Sequence, residues 1–117
     1  CMLTGYCFRS KDEALPLAES IPGPATDAIA AWCSKHHKYV AFGMLEAGPE
    51  TSIYNACPIV GPDGLVGCYR KIHLPFLGVD RFVTTGPDPY QVYDLDGLRV
   101  GTHICYDGSF PESSRIM

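Results

Sequence analysis

The sequence lacks long hydrophobic runs and basic clusters. No apolar stretch approaches the roughly 18 residues that a membrane-spanning helix needs, and no basic segment precedes an apolar one at the N-terminus. Nine Lys and Arg against thirteen Asp and Glu give a formal net charge of -4, with no basic patch that could follow phosphates. We therefore expect a cytoplasmic protein with no membrane partner and no nucleic-acid partner.

Cysteines are present, but not in the spacing of a metal or redox motif. None of the six forms a C-x-x-C pair, which argues against a zinc knuckle or a thioredoxin-like site and favours a reducing compartment. A metal site built from His103, Cys105 and Asp107 would supply only three alternating ligands on one strand. We expect neither a metal nor another cofactor.

Length and composition predict one globular domain. The chain has 117 residues, of which 46% are hydrophobic and 19% are charged, a balance typical of a folded protein. It begins without Met and stops at Met117, within what resembles the first turns of a helix. We interpret residues 1–117 as a partial domain whose N- and C-terminal parts lie outside this sequence.

Hydrophobic periodicity and turn residues predict an α/β or α+β layered domain. Pro24, Thr26 and Asp27 indicate the start of a helix that should run to about residue 37, with His36 and His37 as surface residues near its end. The predicted elements that follow are a buried strand at 39–45, a hairpin at 52–60 and 65–71, a long loop at 74–89, a second hairpin at 90–95 and 98–105, and a helix from 111.

The Pro-Asp-Gly turn of the first hairpin also predicts a register. If its centre lies between Pro62 and Asp63, Cys57 faces Cys68 across the two strands. A cross-strand disulfide is one interpretation of this pair, and two packed thiols, which a reducing compartment favours, are the other.

Cys105 is the main candidate for a nucleophile. It is predicted to end a strand just before a helix, where free backbone N–H groups can hold an oxyanion, although a buried structural thiol has the same local pattern. His73 or His103 could pair with it, as in a Cys-His thiol hydrolase, whereas the alternative for His103 is a core histidine. Lys71, taken alone, is typical of a solvated residue at a strand end.

Several ordered motifs then resemble one family. The segments that carry the resemblance are Leu3-Thr4-Gly5-Tyr6, Tyr54-Asn55, Tyr69-Arg70-Lys71-Ile72-His73-Leu74 and the run from Cys105 through Phe110-Pro111-Glu112 to Arg115. Together they resemble the nitrilase superfamily, the carbon–nitrogen hydrolases, across the whole chain. Cys105-Tyr106-Asp107 is similar to the amidase-type branches, since true nitrilases usually have Trp-Glu after the cysteine.

The resemblance implies part of an αββα sandwich and a Glu-Lys-Cys triad. Cys105 would be the nucleophile, Lys71 the ammonium that stabilises the oxyanion, and the Tyr106 N–H the other oxyanion donor. The general-base glutamate would fall one position before Cys1, outside this sequence. Asp80 stands where the family usually has a second glutamate. It either positions Lys71 or substrate, or is a plain loop residue.

The resemblance also implies a reaction and an assembly. The enzyme would hydrolyse a non-peptide carboxamide or an N-carbamoyl compound, a small-molecule substrate, through a cysteine thioester, and release ammonia or an amine. The complete protein would form homo-oligomers and need no cofactor. Two alternatives stay open: a non-catalytic fragment or association module that has lost its general base, and the Cys-His thiol hydrolase.

Overall fold

A computed structural model describes residues 2–117, and Cys1 lies outside the described residues. The three α-helices are α1 (Lys11–Ala14), α2 (Pro24–His36) and α3 (Pro111–Ile116). The six strands are β1 (Val40–Ala41), β2 (Met44–Ala47), β3 (Ile53–Gly61), β4 (Gly64–Arg70), β5 (Val92–Leu95) and β6 (Leu98–Gly101). Short 3-10 helices lie at Leu15–Leu17, Gly78–Arg81 and Cys105–Ser109. Within residues 2–117, no helix has the length and apolar character needed to cross a bilayer.

Helix α2 has the predicted position and signals. Pro24 occupies the first turn, and the N–H of Gly23 donates to the Thr26 hydroxyl at 2.8 Å. The helix ends where His37 adopts a left-handed conformation with φ of 50°, and Lys38 donates its N–H to the Cys33 carbonyl at 3.2 Å. His36 and His37 are exposed, as expected of surface residues.

The main sheet is antiparallel, and β3 is its centre. Strands β1 and β2 pair with one edge of β3 and β4 with the other. The single strand predicted at 39–45 is divided into β1 and β2, although both keep the same register on β3. Pro58, opposite the gap, has no N–H to donate, so the ladder is interrupted there.

The β3–β4 hairpin forms as predicted, but its register shifts by one residue at a bulge. Val60 still faces Leu65, whereas Cys57 faces Tyr69 and Pro58 faces Cys68. The prediction that Cys57 faces Cys68 is therefore wrong. Because neighbouring residues point to opposite faces of a strand, the two thiols lie on different faces, and both are free.

Two apolar clusters cover the two faces of the sheet, which confirms the layered α/β architecture. On one face, Cys33 of α2 packs with Phe42, Met44 and Val60. On the other face, the N-terminal segment and the 3-10 helix Gly78–Arg81 supply the cover, and the cluster contains Phe8, Ala14, Leu45, Ile53 and Val79. Met44 and Leu45 are adjacent in β2 and point in opposite directions, so each belongs to a different cluster.

The second hairpin is shorter than predicted and forms a separate two-stranded sheet. Its turn contains Asp96 and Gly97, both with positive φ, as a type I′ turn requires. Strand β6 ends at Gly101, where β5 begins opposite it. The prediction that this strand continues to Cys105 is therefore wrong. Residues 102–104 have no partner on β5, because β5 begins at Val92 and Tyr90 before it contacts His73 instead.

Candidate functional site

Lys71 continues the β4 backbone and carries a buried ammonium. Its N–H donates to the Asn55 carbonyl of β3 at 2.8 Å, and its side chain is completely buried. The Nζ atom lies 2.5 Å from Oδ2 of Asp80, which is equally buried. The interpretation of Lys71 as a solvated strand-end residue is wrong.

Asp80 is the acceptor for three donors. Its Oδ2 accepts from Lys71 Nζ and from the Tyr6 hydroxyl at 2.8 Å, and its Oδ1 accepts from Nδ2 of Asn55 at 2.9 Å. A buried carboxylate with this many partners is held in one orientation. Asp80 is buried and ion-paired with Lys71, which is the geometry expected of a residue that positions Lys71 or substrate.

The turn that carries Asp80 is docked on the N-terminal segment. Val79 donates its N–H to the Tyr6 carbonyl at 2.8 Å, and the Tyr6 ring covers Gly78, which has φ of 56°. A Cβ at Gly78 would lie 2.3 Å from the ring, so only glycine allows this approach. The 3-10 helix Gly78–Arg81 thereby brings Asp80 to Lys71.

The Tyr6 phenol remains a hydrogen-bond donor at this site. Burial and then the hydrogen bond to Asp80 raise the pKa of Tyr6 well above its usual value, and the charges of Asp80 and Cys105 raise it further. The hydroxyl therefore stays protonated, and its single proton can be donated to the Asp80 carboxylate at 2.8 Å or to the Leu77 carbonyl at 2.7 Å.

Cys105 lies at the surface in a strained backbone conformation. It opens the 3-10 helix Cys105–Ser109 with φ of 49°, a region that residues other than glycine seldom adopt. The residue is exposed, so the interpretation as a buried structural thiol is wrong. Tyr106 follows as the second residue of the 3-10 helix, where backbone N–H groups have no acceptor within the helix.

Asp107, two residues after the cysteine, is completely buried. Its carboxylate accepts the backbone N–H of His73 at 2.9 Å, that of Ile104 at 3.0 Å and the Tyr69 hydroxyl at 2.8 Å. Burial by itself raises the pKa of the Asp107 carboxyl, but these hydrogen bonds outweigh it and hold the pKa below its usual value. Asp107 is therefore ionised near neutral pH.

In the part of the chain that the structure describes, neither candidate histidine is hydrogen-bonded to the Cys105 thiol. Within residues 2–117, Nδ1 of His73 has Asp107 at 3.0 Å and the Tyr90 hydroxyl at 3.1 Å as its partners, and its ring stacks on Phe110. His103 is exposed, with its ring against Gly108, so its interpretation as a core histidine is wrong. The described residues therefore show no Cys–His pair that would support the Cys-His thiol hydrolase.

The described residues also show what lies around potential ligand sites and along α3. No three His, Cys, Asp or Glu side chains converge as metal ligands anywhere in residues 2–117. The same residues enclose no pocket, and the 74–89 loop presents Phe76 and Leu77 to solvent. Glu112 and Arg115 are both exposed on α3, and the described residues show no ion pair between them.

Sequence reasoning did not identify Tyr6, Asn55 and Asp107 as site residues. Asn55 had a usable signal, since a polar residue within an otherwise buried strand needs a partner. Tyr6 and Asp107 each lie in a motif that carries the resemblance, but their partners are 74 and 38 residues away in sequence. No local pattern reveals contacts of that range.

The sequence matches one protein family and several of its relatives. The family model described as Carbon-nitrogen hydrolase matches residues 1–117. A protein named nitrilase from Pyrococcus abyssi is 36% identical over 115 residues, which cover 97% of this chain and 43% of that protein. Human omega-amidase NIT2 is 34% identical over 107 residues, which cover 85% of this chain and 39% of that protein.

Solved structures share the fold. The crystal structure of an N-terminal amidase matches with a TM-score of 0.78 and 24% identity, over 95% of this chain and 30% of that one. The chain spans less than half the length of these relatives. The match of the family model along the whole sequence shows that the chain belongs to the carbon-nitrogen hydrolase family.

Proposed function

We propose that this chain carries the nucleophile and the oxyanion-binding lysine of an amidase-type carbon–nitrogen hydrolase. The observation that supports the proposal most directly is the buried ammonium of Lys71 against Asp80. A buried ion pair is weak support for stability, because desolvation offsets the attraction between the charges. The same chain also presents an exposed cysteine with a strained backbone, and a buried charge of this kind is typical of a site that uses the charge for chemistry.

Lys71 would stabilise the negative charge that develops on the substrate. An ammonium group has three N–H donors, and one of them is directed at Asp80. In the complete site, the other two would donate to a carbonyl oxygen and to the general base. In a site that excludes water, such a fixed donor stabilises a transition state by several kcal/mol, roughly 3 to 4 for one oxyanion contact.

Cys105 would attack the amide. Its sulfur forms a bond to the carbonyl carbon, and the carbonyl electrons move to oxygen, which Lys71 and the Tyr106 N–H would hold. The oxyanion collapses, the C–N bond breaks, and ammonia or an amine leaves with a proton from the general acid. Water then attacks the thioester, so that a carboxylic acid forms and the thiol is restored.

The proton transfers need a general base. By the resemblance, this group is a glutamate one position before Cys1, outside the sequence. It would take the Cys105 proton, give it to the leaving ammonia, and then activate water. We propose that residues 1–117 supply the nucleophile and the oxyanion site and are a partial domain of the complete enzyme.

The substrate we propose is a small molecule with a primary carboxamide. The names of the relatives, omega-amidase and N-terminal amidase, favour a carboxamide over the N-carbamoyl compounds that the resemblance also allows. We further propose that the complete protein is a cytoplasmic homo-oligomer that needs no cofactor. Pocket walls would come from the 74–89 loop together with parts of the protein outside this chain.

The test is ammonia release by the complete protein. Succinamic acid, the peptide Asn-Glu-Ala and N-carbamoyl-β-alanine serve as probes of three amide classes. We expect turnover of at least one carboxamide, a trapped thioester by mass spectrometry, and loss of both in Cys105→Ala. The matched control is Cys68→Ala, which should keep the wild-type rate. Unchanged ammonia release in Cys105→Ala would contradict the assignment.

The exposed apolar side chains favour a second candidate, a non-catalytic association module. Phe76 is 77% exposed and Ile116 is 69% exposed, which is more typical of covered surfaces. On this hypothesis the complete protein binds a partner but releases no ammonia from any probe. Thiol-dependent turnover would exclude it.

A further inference from the structure

The Asp107 carboxylate connects two segments that the proposed reaction needs in register. Its Oδ1 accepts the His73 N–H at 2.9 Å and lies 3.0 Å from His73 Nδ1. Its Oδ2 accepts the Tyr69 hydroxyl at 2.8 Å and the Ile104 N–H at 3.0 Å. Both oxygens are therefore occupied twice, in a side chain with no exposed surface.

The partners of Asp107 lie on both sides of each proposed catalytic residue. Tyr69 and His73 come two residues before and two residues after Lys71. Ile104 immediately precedes Cys105, and Asp107 itself follows it by two. A single carboxylate thus holds the backbone around Lys71 against the turn that presents Cys105.

We propose that Asp107 is a positioning residue that sets the distance between the Lys71 ammonium and the Cys105 sulfur. The inference rests on the proposed function, because that spacing matters only if the two groups act on one substrate. Asp107 does not touch the reacting atoms. It acts through Tyr69, His73 and Ile104.

Only an ionised carboxylate fits this place. All of the backbone and hydroxyl partners are donors, and an ionised carboxylate is the side chain that accepts at both ends. An asparagine would keep the shape but direct its NH₂ group at two donors, so that buried N–H or O–H groups lose their acceptor. Burial raises the pKa of Asp107, but the hydrogen bonds lower it by more, so the carboxyl group is charged at neutral pH.

Aromatic packing on the outside of Asp107 keeps the arrangement rigid. His73 stacks on Phe110 with ring centroids 4.1 Å apart, and Tyr69 stacks on Tyr90 at 5.4 Å. Phe110 belongs to the turn that follows Cys105, whereas Tyr69 and His73 flank Lys71. The two segments therefore meet through packed rings as well as through the carboxylate, and removal of the charge should loosen both together.

The experiment uses the complete protein and compares Asp107→Asn with wild type. Kinetics of succinamic acid hydrolysis give kcat and KM, and hydrogen exchange monitored by mass spectrometry reports protection of segments 69–73 and 104–107. We expect kcat to fall about 100-fold with little change in KM, the size of effect that a 1 Å displacement of reacting groups produces. Protection should fall in both segments and stay unchanged in β2 and β3.

Two further variants keep the test decisive. Tyr69→Phe keeps the ring but removes one of the hydrogen bonds to Asp107, together with the acceptor of the Ile72 N–H, and should give a smaller fall in kcat even if Asp107→Asn folds poorly. Asp12→Asn, at an exposed position on α1, is the matched control and should leave kcat and exchange unchanged.

The outcomes separate the two proposals. If Asp107→Asn and Tyr69→Phe keep kcat within about twofold of wild type, Asp107 does not position the site. A fall in thermal stability with wild-type kcat also overturns the inference, because that is the signature of a merely structural role. If neither wild type nor variant releases ammonia from any probe, the proposed function fails. The exchange data then show separately whether Asp107 couples the two segments.

Discussion

At the residue scale, the site depends on buried charges that satisfy one another. Lys71 and Asp80 are both without exposed surface, and Tyr6 and Asn55 complete the hydrogen bonds of the carboxylate. Removal of one partner from such a pair leaves the other charge buried and unpaired, which costs far more than the intact pair contributes.

Asp80→Asn measures the cost of leaving the Lys71 ammonium unpaired. We expect the variant to lower the free energy of unfolding by about 3 to 5 kcal/mol, because the Lys71 ammonium loses its counter-ion. Asp88→Asn is the matched control, since Asp88 pairs with Arg70 at 3.1 Å from a half-exposed position, and should cost at most about 1 kcal/mol. Urea denaturation measures both. Equal costs for the two variants would contradict the prediction.

The buried carboxylate of Asp107 should make the free energy of unfolding depend on pH. Its pKa is lowered in the folded protein, so its stabilising contribution is present above the usual carboxyl value of 3.8 and is lost as the pH falls through the lower folded value. The difference in unfolding free energy between wild type and Asp107→Asn should be constant above about pH 5 and shrink in stronger acid. Urea titrations at several pH values give this difference. A difference that does not change with pH would contradict the prediction.

At the element scale, α2 is attached to the sheet by a small apolar cluster. Met44 of β2 is 1% exposed and packs with Cys33 of the helix and Val60 of β3. The helix is short and its own sequence stabilises it weakly, so most of its stability comes from this contact.

Met44→Ala tests that contact. The truncation should lower the free energy of unfolding by about 2 to 5 kcal/mol, because it removes apolar burial and leaves a cavity between helix and sheet. Leu98→Ala is the control: Leu98 is 65% exposed, and its truncation should change stability by about 0.5 kcal/mol or less. Thermal or urea unfolding distinguishes them, and a Met44→Ala cost as small as that of Leu98→Ala would show that the cluster does not hold α2.

Element positions could be predicted well, and element boundaries less well. The Pro24 start of α2 and both hairpin turns follow from local chemistry, and the structure confirms them. The gap between β1 and β2 arises from Pro58 on the opposite strand, and the bulge moves the register by one residue. Both depend on the partner strand, which no window of sequence contains.

At the scale of the whole molecule, large apolar side chains remain at the surface. Phe76 and Leu77 in the 74–89 loop are 77% and 65% exposed, and Leu98 and Ile116 are similarly open. Burial of these side chains in an interface would remove apolar surface from water, which favours association. We therefore predict that the 117-residue chain self-associates in solution.

Sedimentation velocity over a range of concentrations measures that association. The apparent mass should rise with concentration, and Phe76→Ser should weaken the rise because it removes the most exposed aromatic side chain. Lys38→Ser, at an exposed charged position, is the control and should leave it unchanged. A single monomeric species at all concentrations would contradict the prediction.

The sequence by itself determined the family, the position of α2, the two hairpins and the identity of Cys105 and Lys71 as candidates, because motifs and turn residues act locally. Only the tertiary structure decided that Lys71 is buried against Asp80, that Cys105 is exposed and strained, and that Cys57 and Cys68 lie on different faces. The contacts of Asp107 also appear only in the structure, because their partners are far away in sequence. The physical reason is that burial and hydrogen-bond partners are properties of the packed chain, and a local pattern carries only the preferences of its own residues.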